Sequence, residues 1–245
     1  MNLRFFSSIL TGVLAVSLAS GGHAGHVSAG APAPGPAVVK GTVKIQGAVP
    51  KPTHIDMSQD PKCGHGAMSE EVVADSNGGL QNVVVYVSQG LGDAKFDPPK
   101  EAAEIEQKGC AYKPHVVALR TNQELKVVND DATTHNIHPS PNNNRELNQT
   151  QPPGVPFSMT FAREEIAIPV KCNIHPWMRS YFAVFKHPFF AVSGKDGSFE
   201  IGNLPPGTYT LTAWHEKFGT AFQKITVGDS ETKTIEFVFK SDSGS

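Results

Sequence analysis

One short stretch of the chain carries three side chains that bind soft metals, at a regular spacing. Cys172, His175 and Met178 follow one another at every third residue. A thiolate, two imidazoles and a weak axial thioether are the ligands of a mononuclear blue-copper site. The second imidazole has a source upstream, at His135. The residues therefore predict one type-1 copper ion bound by His135, Cys172, His175 and Met178.

Two other interpretations use the same residues. They could form a buried cysteine beside surface histidines, or a zinc site. A mixture of soft and borderline ligands favours copper over Mg or Ca and over most zinc arrangements. Four protein ligands leave no open position, which suits electron transfer and disfavours catalysis. We therefore expect a binding protein rather than an enzyme.

The flanking residues predict how the thiol is positioned. Ile166, Ile168 and Val170 alternate toward Cys172, which predicts a strand with all four side chains on a buried face. Asn136 follows the first histidine, and its backbone N–H or side chain could bond the Cys172 sulfur. A plain turn-capping asparagine is the alternative for this position.

The composition favours a β-rich protein. The chain has 245 residues, of which 39% are hydrophobic and 18% charged, with 23 Gly and 19 Pro. Many turns and no capped helical pattern predict an all-β chain. A net charge of -2 without a Lys/Arg cluster argues against a nucleic-acid partner.

The pattern at the start of the chain is typical of an export signal. A small basic n-region precedes an apolar stretch at 5–19 and then small residues. We expect a signal peptide at 1–24, a flexible leader at 25–37 and export to a bacterial periplasm. A retained membrane anchor is the alternative. No other apolar stretch is long enough to span a membrane, so none is expected in the mature protein.

The chain contains three cysteines, and an odd number is informative in an oxidising compartment. Cys172 lies among metal-binding residues, so Cys63 and Cys110 are expected to form a disulfide. The alternative is a second metal site in which His65 and His115 join these two cysteines.

Alternation of apolar residues predicts most of the strands. Residues 53–79 and 139–156 are interpreted as loops, and 88–105 as a loop with one helical turn at 99–105. The predicted strands cover residues 38–47, 82–87, 115–120, 124–129, 157–161, 166–172, 181–185, 199–201, 209–214, 221–227 and 234–239.

Two of these segments resemble a known family. The tetrapeptide 135–138 (HNIH) and the stretch 172–179 (CNIHPWMR) resemble the copper motifs of the cupredoxin family, most closely its amicyanin-like members. The resemblance covers residues 110–187. It implies a Greek-key β-sandwich, one-electron transfer, the same four ligands, and a non-ligating role for His138.

A second resemblance lies outside that region. Residues 197–209 are similar to the carboxypeptidase regulatory-like (transthyretin-like) β-sandwich, and 41–43 with 83–87 resemble its opening strands. This implies a smaller sandwich built from 38–109 and 188–240, with a disordered tail at 241–245. The copper domain would be inserted into it or packed alongside it.

These inferences lead to one functional hypothesis and two alternatives. The hypothesis is a periplasmic carrier of single electrons between partners such as a cytochrome or a periplasmic dehydrogenase. His175 is the expected electron port, since an outer-loop ligand usually has an edge near solvent, with Pro139, Pro176 and Trp177 as a docking patch. The alternatives are a copper storage or delivery protein with the same ligands, and a scaffold with a vestigial site.

Overall fold

A computed structural model describes residues 35–241 of the chain. The predicted signal peptide and most of the predicted leader and tail lie outside these residues. The predicted leader is one residue too long, since the first strand begins at Ala37. The strands in chain order are β1 (Ala37–Gln46), β2 (His54–Ile55), β3 (Ala67–Met68), β4 (Val84–Gln89), β5 (Ala103–Gln107), β6 (Tyr112–Lys113), β7 (Val116–Arg120), β8 (Leu125–Asn129), β9 (His135–Pro139), β10 (Gln149–Gln151), β11 (Phe157–Met159), β12 (Glu165–Lys171), β13 (Arg179–Phe185), β14 (Phe190–Val192), β15 (Ser198–Leu204), β16 (Gly207–His215), β17 (Gly219–Val227) and β18 (Thr232–Lys240).

The predicted all-β class is confirmed. One 3-10 turn, Pro61–Cys63, is the only helical element in residues 35–241. No helix in this part of the chain has the length and apolar character needed to cross a bilayer.

The two ends of the described chain build one sandwich. A three-stranded sheet in the order β15-β1-β18 and a four-stranded sheet in the order β14-β4-β16-β17 share one buried cluster, which we call the sandwich core. Alternation along β1 sends every second side chain inward, as a strand with one buried face requires. The sandwich core includes Val39, Val43, Leu80, Val85, Leu211, Ala213, Phe237 and Phe239.

The middle of the chain builds a second pair of sheets. A five-stranded sheet in the order β10-β9-β12-β13-β7 and a four-stranded sheet in the order β11-β8-β5-β6 enclose the metal-side core. This core includes Met57, Ile105, Leu119, Leu125, Val127, Ile137, Ile168, Val170, Cys172, Met178 and Phe182. A smaller cluster of Val84, Val116, Ala183 and Phe185 joins the outer faces of β4 and of β7 and β13.

The strand order shows that the second pair of sheets is inserted into the first. β1 pairs with β15 and β18, and β4 pairs with β14 and β16. The intervening strands β5 to β13 belong to the other two sheets. The predicted boundary between 109 and 110 differs from this arrangement, because β5 pairs in parallel with β8. The inserted unit therefore begins by residue 103.

Each predicted strand has a counterpart, but the segments predicted as loops contain the short strands β2, β3 and β10, and two further local predictions are wrong. The predicted helical turn at 99–105 overlaps β5, where Ile105 is buried and Glu104 forms an ion pair with Lys126 at 3.0 Å. In β12 the register shifts between Glu165 and Ile168, at Ala167 with a φ of 64°. This bulge turns Ile166 toward the smaller cluster, so only Ile168 and Val170 share the metal-side face with Cys172.

Candidate metal centre

Two strand ends and one turn deliver the predicted ligands. His135 is the first residue of β9, and Cys172 directly follows β12. His175 and Met178 lie in the turn that joins β12 to β13. Backbone bonds close this turn, since Cys172 N–H donates to the Met178 carbonyl at 3.3 Å and Met178 N–H to the His175 carbonyl at 3.0 Å. The two antiparallel strands thus fix the ends of the ligand loop.

The donor atoms of three ligands converge. His135 Nδ1 lies 2.9 Å from His175 Nδ1, and Cys172 Sγ lies 3.9 Å from His175 Nδ1. Nitrogen and thiolate ligands of a first-row ion lie about 2.0 and 2.3 Å from it, so two nitrogens are at most about 4 Å apart and a nitrogen and a sulfur at most about 4.3 Å. Both distances fit one shared ion.

All four predicted ligands are buried. His135, Cys172, His175 and Met178 are each 2% exposed or less. Met178 and Cys172 belong to the same buried cluster. A soft donor set that is buried from solvent suits a copper ion better than a hard cation.

The Cys172 sulfur receives two backbone N–H groups. Asn136 N–H lies 3.3 Å and His175 N–H 3.4 Å from Sγ. This backbone contact is one of the two that were predicted for Asn136 from the sequence. The Asn136 side chain bonds Asn148 and accepts the Asn173 N–H at 3.2 Å, which ties β9 to the ligand loop. These contacts hold the sulfur beside the two imidazoles.

A carboxylate faces the outer nitrogen of each histidine. Asp131 Oδ2 lies 2.8 Å from His135 Nε2, and Asp60 Oδ2 lies 3.0 Å from His175 Nε2. Metal-binding histidines commonly donate their second N–H to a carboxylate, which fixes the tautomer and the ring orientation. Neither aspartate was predicted from the sequence.

The ionisation of these groups follows from their surroundings. Burial lowers the pKa of His135, and Asp131 offsets part of that effect. Hydrogen bonds from the Lys62 backbone, the Thr133 hydroxyl and His175 lower the pKa of Asp60 to about 2. At neutral pH the site therefore contains a neutral His135 and an ionised Asp60.

The predicted disulfide is confirmed, since Cys63 and Cys110 are bonded. The alternative of a second metal site with His65 and His115 is wrong, because the disulfide occupies both sulfurs and His115 bonds Glu216. Instead, both sulfurs lie within 4.8 Å of a His175 ring nitrogen. The disulfide thus borders the candidate metal centre.

Two residues that were expected to be exposed at the electron port, His175 and Pro139, are buried. His175 is 2% exposed, because Asp60 covers its outer edge. Pro139 is also buried and cannot belong to a docking patch. Pro176 is exposed and Trp177 is half-buried. The Trp177 ring contacts His175 at 5.1 Å between centroids and borders a cavity of about 620 Å³.

His138 lies outside the ligand cluster. Its Nδ1 contacts Asn173 at 2.9 Å and its Nε2 contacts Glu146 at 2.6 Å. Both ring nitrogens therefore have partners other than the candidate centre.

Comparison with known families gives one match. The family model described as "Carboxypeptidase regulatory-like domain" matches residues 186–240. Those residues hold the strands β14 to β18 of the sandwich. No curated protein matches the chain.

Several solved structures are weakly similar to this one. A Cu-containing nitrite reductase from Thermus scotoductus SA-01 matches with a TM-score of 0.34 and 15% identity, over 41% of this chain and 26% of the reductase. A purple cupredoxin from Nitrosopumilus maritimus matches with a TM-score of 0.29 and 22% identity, over 34% and 98% of the two chains. A reduced amicyanin mutant has a TM-score of 0.32 and 18% identity, over 39% and 96%. The chemistry of the centre therefore has to follow from its own residues.

Proposed function

We propose that this protein is an exported type-1 copper protein that carries single electrons between redox partners and catalyses no reaction of its own. The observation that carries the proposal is the convergence of His135 Nδ1, His175 Nδ1 and Cys172 Sγ in one buried pocket. Copper bound there would supply one-electron chemistry, cycling between Cu(II) and Cu(I). Met178 would be the weak fourth ligand.

The surroundings of the ligands support a carrier. Electron transfer is fast when the ligand geometry changes little between oxidation states, and the four ligands lie on strand ends and a closed turn. Two N–H groups hold the Cys172 sulfur in place, and carboxylates hold both imidazoles. The protein's own groups therefore fix the site before any metal binds.

The exposure of the residues around His175 indicates a route for electrons. His175 is covered, whereas the neighbouring Trp177 contacts its ring and is half-buried beside the exposed Pro176. Electrons would pass between His175 and a partner through this indole. A cytochrome or a periplasmic dehydrogenase is the proposed class of partner, and export rests on the pattern of residues 1–24.

The experiment is copper loading followed by visible spectroscopy. Wild-type protein should show an intense thiolate-to-copper band, and Cys172→Ser should abolish it. His135→Gln should also abolish it, whereas His138→Gln is the matched control and should retain it, since His138 lies on the same strand but contacts Asn173 and Glu146. A colourless wild-type protein with stoichiometric copper would contradict the type-1 assignment.

A copper-delivery protein with the same ligands would exchange its copper at a different rate from an electron carrier. A delivery protein must release its metal readily, whereas all four ligands here are almost fully buried. We expect slow loss of copper to a strong chelator and fast electron exchange with a small redox reagent. Rapid copper loss with slow electron exchange would favour delivery.

A further inference from the structure

Part of the cover over His175 comes from a segment before the inserted sheets. This segment runs from β2 to β3 and contains Asp60. Met57 anchors it, because this side chain is 2% exposed and packs in the metal-side core. The bond from Cys63 to Cys110 anchors it a second time. The segment is therefore held against the centre on both sides of Asp60.

The Asp60 carboxylate is itself fixed by several donors. Its Oδ1 accepts the Lys62 N–H at 2.9 Å, which caps the 3-10 turn. Its Oδ2 accepts the Thr133 hydroxyl at 2.8 Å and lies 3.0 Å from His175 Nε2. A carboxylate that is only 22% exposed and bonded on both oxygens is a built contact rather than a chance surface pair.

His135 also has a carboxylate partner, Asp131, and this partner is linked to the disulfide. Asp131 faces His135 Nε2 and accepts the N–H groups of Gly109 and Cys110 at 2.6 and 2.8 Å. Asp60 lies three residues before Cys63 on the other side of that bond. Both carboxylates are thus placed by residues around the disulfide.

We propose that Asp60 is a positioning residue of the centre: it holds the Nε2–H of His175, turns Nδ1 toward Cys172, and shields the imidazole edge from solvent. This inference rests on the proposed copper function for its metal-loaded consequences. The Asp60 charge also favours Cu(II) over Cu(I), because a nearby anion stabilises the more positive ion. The electron route would then pass through Trp177 instead of the His175 edge.

The test compares Asp60→Ala and Asp60→Asn with wild type. Asp60→Ala removes the acceptor, so we expect Cu(II) affinity to fall about 10- to 100-fold in a chelator competition. If Cu(II) binding weakens about tenfold more than Cu(I) binding, the reduction potential rises by about 59 mV. Asp60→Asn keeps an acceptor oxygen but loses the charge, so it should raise the potential with a smaller loss of affinity.

The matched control is Asp56→Asn. Asp56 lies in the same segment and is exposed, and its carboxylate accepts the Ser58 N–H at 2.9 Å. It should leave affinity and potential unchanged. Circular dichroism and the mass of the alkylated protein establish that each variant keeps its fold and its disulfide. Affinity and potential equal to wild type in both Asp60 variants would overturn the proposal.

A metal-free measurement separates this inference from the function on which it rests. Nitrogen-15 NMR of the His175 ring should show the Nε2–H tautomer in wild type, and loss of that preference in Asp60→Ala but not in Asp56→Asn. An Nε2–H tautomer in a wild-type protein that binds no copper would overturn the copper function and support the positioning role. An Nδ1–H tautomer in wild type would overturn the positioning role.

Discussion

Two regions of this molecule bury histidines to the same extent but use them differently. His215, beside the sandwich core, is 1% exposed, and His135 and His175, in the metal-side region, are 0% and 2% exposed. His215 stacks on Phe218 at 4.9 Å, and its Nδ1 accepts the Lys217 N–H at 3.1 Å. The other two turn their Nδ1 atoms toward each other and their Nε2 atoms toward carboxylates.

The contrast shows that burial of a histidine does not make a metal site. His215 is an aromatic packing residue that has lost its charge, because burial lowers its pKa to about 4. His135 and His175 form a candidate centre because a second contact orients each ring and a cysteine lies between the strand ends. In His215 the Nδ1 atom accepts the Lys217 N–H, whereas the Nδ1 atoms of His135 and His175 face each other beside the Cys172 sulfur.

The largest expected effect comes from removing the disulfide. Cys63→Ala with Cys110→Ala opens a link with a sequence separation of 47, which the chain-entropy model values at about 4 kcal/mol of unfolding free energy. Denaturant unfolding measures this loss, and reduced wild-type protein is the control. Copper affinity should fall as well, because Asp60 and Asp131 lose their anchor. Unchanged affinity would show that the carboxylates do not depend on this bond.

A cavity in the sandwich core should leave the candidate metal centre intact. Leu211→Ala removes a fully buried side chain and should lower the free energy of unfolding by about 3 kcal/mol. The visible copper band should keep its position and intensity, since Leu211 belongs to the other core. Loss of the band in a variant that remains folded would mean that the two cores are not independent.

Acid should destabilise the protein because it protonates His215 in the unfolded chain before it does so in the folded sandwich. Its pKa is lowered from 6.5 to about 4 in the folded protein, so the unfolded chain binds more protons between these values. Stability is therefore full above about pH 6.5 and falls by up to about 3 kcal/mol as the pH approaches 4.

Unfolding measured from pH 7 to pH 4 tests this slope. His215→Gln keeps a polar side chain but cannot titrate, so its stability should depend less on pH across this window. An identical pH dependence in the two proteins would contradict the assignment to His215.

The smallest effect is expected at Asn136. Asn136→Ala keeps the backbone N–H to Cys172 Sγ but removes the side-chain bonds to Asn148 and Asn173. Unfolding free energy should drop by about 1 to 2 kcal/mol. The copper band should shift slightly without disappearing, since the loop loosens but all ligands remain. Complete loss of the band would mean that the side chain, rather than the backbone, holds the sulfur.

Much of this arrangement was predictable from the sequence. Alternating apolar residues marked strands such as β1, and the spacing of Cys172, His175 and Met178 placed three candidate ligands in one turn. The odd number of cysteines, together with the place of Cys172 among metal-binding residues, predicted the disulfide between Cys63 and Cys110. These features depend on neighbouring residues or on the number of cysteines, so they can be predicted from a single sequence.

Other features depend on contacts between distant residues. Nothing around Asp60 in the sequence marks it as a partner of His175, because the contact exists only after the segment folds over the inserted sheets. Strand β5 contains Glu104 and Glu106 beside a single buried aliphatic residue, so its pattern is weak without its partner β8. The bulge at Ala167 likewise follows from strand pairing rather than from composition.

We propose that His135, Cys172, His175 and Met178 bind one copper ion as a type-1 centre. The most direct measurement is the EPR spectrum of wild-type protein loaded with one equivalent of Cu(II), recorded together with its visible spectrum. A type-1 centre should give a narrow parallel copper hyperfine splitting and an intense band that disappears in Cys172→Ser. A wide splitting without an intense band, typical of copper bound only by nitrogen and oxygen, would contradict it.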